Sequence, residues 1–144
     1  MNAVFETVSR SASPAASGRL RGKILIVDDE PQVRELIAAS LRAGGYDKFV
    51  FGSSGSVVPT LVLRENPQLI IMDVMMPGGN GLRALRTLKS SPDTAGIPVI
   101  MTSGFAVQSQ GTCAGEQADC LLAKPFKPAQ LLATVERLLL TEQV

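Results

Sequence analysis

Ile24-Leu25-Ile26-Val27-Asp28-Asp29-Glu30-Pro31 joins four consecutive branched apolar residues to an acidic pair and then a proline. A short apolar run without polar alternation, bounded by polar residues, reads as a strand buried on both faces, the pattern of parallel sheets. Pro31 suits the first turn of a helix, where the missing N–H costs nothing. The stretch therefore predicts a buried strand that ends on carboxylates and feeds straight into a helix.

The same texture recurs outward along the chain. Residues 69–72 and 97–101 form two more apolar, branched runs, and 49–51 and 120–122 are weaker strand candidates. Helical patterns fall between them at 31–43, 56–64, 82–89 and 128–140. Pro128 again suits a first turn, and Pro59 fits one with Ser56 as the cap. Residues 106–117 hold Ser109, Gly111, Thr112 and Gly115 with little apolar periodicity, so only a short or mobile helix is expected there. Strands alternating with helices predict an α/β fold, an open parallel sheet with helices on both faces.

The 144 residues, 45% of them hydrophobic, provide for one core. Residues 1–22, rich in Ser and Ala, read as a disordered tail or linker, 23–141 as the folded domain and 142–144 as a short tail. A formal charge of +1 provides no field for nucleic acid or an anionic membrane, so a protein or small-molecule partner is expected instead. No apolar run approaches the roughly 18 residues of a membrane span, and the start lacks a signal-peptide core, which makes a cytoplasmic location the expectation. Cys113 and Cys120 read as reduced thiols without chemistry. The chain has no histidine, which removes serine–histidine and cysteine–histidine catalysis and histidine metal sites.

In an open parallel sheet, ligands bind beyond the carboxyl ends of the strands. Asp28 and Asp29, Asp73, Ser103 and Lys124 each follow one of the four predicted strand ends. Alone, each has a plain explanation as a helix cap or solvated charge. Together they describe a pocket of carboxylates whose mutual repulsion demands a proton or a cation. Oxygen-only ligands favour a hard ion, Mg²⁺ foremost and Mn²⁺ as the alternative. With a lysine and a hydroxyl opposite, such a pocket fits phosphoryl transfer to a carboxylate nucleophile.

Over Lys23 to Leu140 the chain resembles the receiver domains of two-component response regulators, the CheY-like family. The resemblance rests on the run 24–31, on Asp73-Val74-Met75-Met76-Pro77-Gly78-Gly79-Asn80-Gly81, on Ile97-Pro98-Val99-Ile100-Met101-Thr102-Ser103-Gly104 and on Lys124-Pro125-Phe126. It implies a doubly wound, flavodoxin-like sheet of five parallel strands in the order 2-1-3-4-5. Asp73 would be the phosphoacceptor, receiving phosphoryl from a histidine kinase or phosphotransfer protein. Asp28, Asp29, Asp73 and the backbone carbonyl of Met75 would hold Mg²⁺, one of the first two acting through water. Lys124 would contact the phosphoryl oxygens, with a cis bond to Pro125. Ser103 is the implied switch hydroxyl, with Thr102 the second choice. The chain would catalyse only its own phosphorylation and dephosphorylation, without being an enzyme on other substrates, and would signal to a downstream protein target by changing shape.

The sequence departs from that family's pattern in two places. Leu121 stands where the family usually has Tyr or Phe, so the aromatic in-and-out readout cannot operate in that form. Met75 and Phe105, which would line the path of attacking water, are apolar, and slow self-dephosphorylation is expected. A phosphorylation-independent interaction module with a degenerate acidic pocket is the competing reading. An aspartyl-phosphate phosphatase would need a second Asp at position 75. DNA binding is not expected, since only Thr141 to Val144 follow the last predicted helix. The chain reads as a stand-alone receiver or one cut from a longer protein, and residues 102–105 resemble receivers fused to sensor kinases. Leu131, Leu132, Val135, Leu138 and Leu139 read as core packing, giving a monomer or weak dimer.

Overall fold

Ile24, Leu25 and Ile26 are completely buried, and each such side chain contributes roughly 1.5–3 kcal/mol by leaving water. They lie in β1 (Ile24–Val27), the first element of a strand–helix alternation seen in a computed structural model that describes residues 22–77, 81–104 and 118–143. The further elements are α1 (Pro31–Ala43), β2 (Phe49–Gly52), a 3-10 turn (Gly55–Val57), α2 (Val58–Glu65), β3 (Leu69–Asp73), α3 (Gly81–Lys89), β4 (Val99–Ser103), β5 (Cys120–Ala123) and α4 (Pro128–Gln143). The segment 106–117, the tail 1–21, Phe105 and Cys113 lie outside the described residues. Cys120 is a half-buried free thiol.

All five strands are parallel, in the order β2-β1-β3-β4-β5. Alternation sends side chains to two separate cores. Ile24, Ile26, Leu69, Ile71 and Ile100 pack with α1 and α4 residues such as Ile37, Leu41, Leu131 and Val135. Leu25, Val27, Ile70, Met72, Val99 and Met101 pack with Val58 and Val62 of α2 and Leu85 and Leu88 of α3. The expected α/β sheet covered on both faces is therefore present.

Two local expectations need correction. Ser56 does not cap a helix: it lies inside the 3-10 turn, α2 starts at Val58, and Val57 is its cap residue. An α-type bond to the Gly55 carbonyl would have to come from residue 59, a proline without N–H, so Val58 donates to it instead and the turn closes tightly. The fourth strand begins at Val99, two residues later than expected. Pro98 has no N–H to pair, and the Ile97 N–H is used by the preceding turn, on the Thr94 carbonyl at 3.1 Å. At their other ends β3 and β4 run one and two residues further than expected, so Asp73 and Ser103 are the last residues of their strands, and α4 continues through Gln143, so that 142 and 143, expected in a tail, are helical.

The register brings these ends together. Val27 pairs with Gly52 and Met72, Asp73 with Thr102, and Ser103 with Ala123. Helix α3 approaches this end very closely. A Cβ on Gly81 would overlap the Asp73 carbonyl oxygen and stand 3.0 Å from Met101 Cε, while the Gly81 N–H donates to the Val74 carbonyl at 2.8 Å. Glycine is required there by space, not by an unusual backbone angle. Gly81→Ala is expected to lower stability by about 1–3 kcal/mol, the usual cost of forcing atoms into a packed site, read as a lower denaturant midpoint at unchanged slope.

Candidate functional site

Asp28 is the first residue beyond β1 and is 1% exposed. Every polar group it has is partnered. Its N–H donates to the Gly52 carbonyl at 3.1 Å. Oδ1 accepts the Glu30 N–H at 3.0 Å, Oδ2 accepts Lys124 Nζ at 2.8 Å, and the carbonyl accepts Arg34 Nη1 at 2.6 Å. Helical side chains lean toward the helix N-terminus, and so Arg34, in the first turns of α1, reaches back to the strand end.

Asp73, at the end of β3, is also buried. Its Oδ2 accepts Lys124 Nζ at 3.3 Å and its Oδ1 lies 3.4 Å from the Met75 N–H, a long contact. Asp29 is exposed, and its carboxylate completes a group of three, with one oxygen from each of Asp28, Asp29 and Asp73 within 4.8 Å of the others. Lys124 is anchored by its backbone, the N–H donating to the Ser103 carbonyl at 2.7 Å, and its peptide bond to Pro125 is cis. The Thr102 carbonyl accepts the Val74 N–H at 2.8 Å. The last two residues of β4 thus tether both the Asp73 loop and the Lys124 loop. Thr102 and Ser103 are each 1% exposed.

Burial pushes the Asp73 carboxyl above its ordinary value, and the Asp28 charge adds to this; the Lys124 ammonium pulls the other way without cancelling it. Burial pulls Lys124 down, but its hydrogen bond to Asp28 and the charges of Asp73 and Asp28 outweigh that and hold it above the usual lysine value. Among the described residues, three carboxylates gather beside the Lys124 ammonium and the Arg34 guanidinium, which leaves an excess of negative charge. The donor set is oxygen only, which fits a hard divalent cation such as Mg²⁺. Asp29, with no protein partner among the described residues, and Asp73 are the carboxylates best placed to hold it.

Asp28, Asp29, Asp73, Thr102, Ser103 and Lys124 are therefore brought to one end of the sheet. Met75 follows at the rim, 55% exposed, and Leu121 is half-buried against the core of β1, β3, α2 and α3. Phe105 lies outside the described residues. Arg34 is a residue that reading by motif overlooks, and Gly81, although it ends the quoted run 73–81, was given no role there. The signal for Arg34 was an arginine within a helical turn of Pro31, and for Gly81 a glycine at a helix start after the acidic loop.

A five-stranded parallel sheet in this order, with two aspartates and a lysine bonded at its carboxyl edge, defines the receiver class of signalling domains. The chain belongs to the response regulator receiver domain family, whose model matches residues 24–136. It is thus a receiver domain of two-component signal transduction. It is 36% identical over 117 residues to the DNA-binding response regulator MtrA of Mycolicibacterium smegmatis, covering 81% of this chain and 50% of that protein. To the phosphate regulon transcriptional regulatory protein PhoB of Pseudomonas aeruginosa it is 37% identical over 119 residues, covering 81% and 51%. The chain spans about half the length of these curated relatives. Among solved structures, the signal receiver domain of a signal transduction histidine kinase from Syntrophus aciditrophicus superposes with a TM-score of 0.76 at 34% identity, covering 83% of this chain and 91% of that one. The expected exclusion of nucleic acid finds no support in relatives such as MtrA, which is named as DNA-binding. Among the described residues no helix is long and apolar enough to cross a membrane.

The raised Asp73 value has a stability consequence in the metal-free protein. A carboxyl raised on folding favours the fold below its unfolded value and loses that contribution as pH rises through the folded value. With chelator present, Asp73→Asn is expected to be more stable than the native chain at neutral pH. That advantage should shrink on acidification through the raised value, checked by denaturant midpoints across the pH range.

Proposed function

We propose that this receiver unit, residues 23–141, accepts a phosphoryl group on Asp73 from a histidine kinase or phosphotransfer protein in a Mg²⁺-dependent reaction, and signals to a protein target by a change of shape. The observation that carries this reading is the Lys124 ammonium bonded to both Asp28 and Asp73, with Asp29 beside them. Asp73 and Asp29 would hold the cation, with Asp28 acting through water because its two oxygens are held at 3.0 and 2.8 Å, closer than the 3.3 and 3.4 Å contacts of Asp73, and the Met75 carbonyl as the further ligand. The bound ion would supply positive charge against the phosphoryl oxygens.

In the transfer, an Asp73 carboxylate oxygen forms the new O–P bond as the donor's bond to phosphorus breaks and its electron pair leaves with the donor. Lys124, kept charged by its two aspartates, is placed to hold a phosphoryl oxygen. Ser103, with Thr102 as the second choice, would donate its hydroxyl to another and so report the modification through β4 to the loops tethered on it. Leu121 provides no ring to swing, so the output runs through the main chain of that end of β4. Met75 and Phe105 provide no polar group to orient an attacking water, which points to a long-lived phosphoryl form.

Intact mass after incubation with acetyl phosphate tests the assignment. A single phosphoryl addition is expected that requires Mg²⁺ and is absent in Asp73→Asn. No addition in the native chain would sink the reading and leave an interaction module with a degenerate pocket. For the lifetime, Met75→Asn is expected to shorten the phosphoryl half-life severalfold, followed by the decay of the added mass after donor removal.

A further inference from the structure

Arg34 stands beside an acidic cluster yet forms no ion pair among the described residues; its guanidinium is spent on a backbone carbonyl, that of Asp28, at 2.6 Å. That carbonyl belongs to the peptide joining Asp28 to Asp29. Asp28 is held independently, by Gly52 through its N–H and by Glu30 and Lys124 through its carboxylate. Asp29 has nothing equivalent: it is exposed and its side chain has no partner among the described residues. The peptide before it helps to set the backbone position from which its carboxylate projects, and Arg34 holds the carbonyl of that peptide. The helix supports the arrangement, since the Arg34 and Val33 N–H groups both donate to the Glu30 carbonyl, at 3.2 and 3.1 Å, closing the loop 28–31 from the helix side.

We infer that Arg34 is a positioning residue for the divalent cation: by orienting the Asp28–Asp29 peptide it pre-organises the Asp29 carboxylate as a ligand. This rests on the reading that Asp28, Asp29 and Asp73 form a cation site. The sign of the effect separates positioning from simple charge. As a nearby positive charge, Arg34 repels a cation, so its removal would tighten binding. As the holder of a ligand loop, its removal weakens binding, and groups of this kind typically govern affinity by 10–100-fold.

The test is direct Mg²⁺ binding by isothermal titration calorimetry, alongside the Mg²⁺ dependence of Asp73 labelling by acetyl phosphate read by intact mass, for the native chain and for Arg34→Gln, Arg34→Ala and Arg34→Lys. Gln and Ala are sound helix formers at this half-buried position, so two independent variants report on loss of the bond. The half-saturating Mg²⁺ concentration is expected to rise about tenfold in both, with the labelling rate at saturating Mg²⁺ unchanged and most of the native affinity restored in Arg34→Lys. An unchanged or lowered half-saturation would overturn the proposal, as would a loss of labelling that no Mg²⁺ concentration restores, which marks a general structural role. A native chain that shows no Mg²⁺-dependent labelling fails the underlying cation-site reading, a result distinct from altered variants beside a working native chain.

Discussion

Lys124 Nζ lies 2.8 Å from Asp28 and 3.3 Å from Asp73, across sequence separations of 96 and 51 residues. Both carboxylates are almost wholly buried at the end of the sheet, where an uncompensated charge costs several kcal/mol. The ammonium offsets that cost only if β1, β3 and β5 end at one level, and the parallel register with β4 between β3 and β5 ensures that they do. The compensation is deliberately incomplete in its chemistry. Burial, with the Asp28 charge beside it, leaves Asp73 with a raised affinity for protons, and three carboxylates still outnumber the Lys124 and Arg34 cations among the described residues.

This incomplete balance links stability to function. A site whose charges were fully matched would be more stable and would have no use for a divalent ion or a phosphoryl group. The pocket is framed by contacts that leave its carboxylates untouched. The Thr102 and Ser103 carbonyls hold the Asp73 and Lys124 loops, Gly81 lets α3 close on the Asp73 backbone, and Arg34 ties the Asp28–Asp29 peptide to α1. Such a frame around an unbalanced pocket is what the proposed phosphoryl switch would need, since added charge would then change the pocket before it changes the fold.

Particular residues show how far motif and pattern reach. The runs at 24–27 and 69–72 were legible as buried strands because short, continuous apolar runs bounded by polar residues fit a sheet covered on both sides and are too brief for a buried helix. Helix α1 was legible to its ends, Pro31 and Ala43, because a proline opens it and two glycines close it. The start of β4 and the turn before α2 were not, since both depend on where a proline's missing N–H falls in a hydrogen-bond pattern that only the neighbours complete. Asp28, Asp29, Asp73, Ser103 and Lys124 were legible as strand-end polar residues, whereas Arg34 looked like any helix-surface arginine.

The order of residue types along the chain by itself determined the α/β class, the strands and helices to within a few residues, and the set of polar groups at the strand ends, because local periodicity and strand burial are written in consecutive residues. Only the tertiary structure decided which of these groups touch, that Lys124 bridges two aspartates, that Asp28 is saturated while the Asp29 side chain has no partner among the described residues, and that Arg34 and Gly81 shape the pocket. Those are contacts between positions far apart in the chain or across a helix turn, and they come into being only when sheet register and helix packing bring them within a few ångströms.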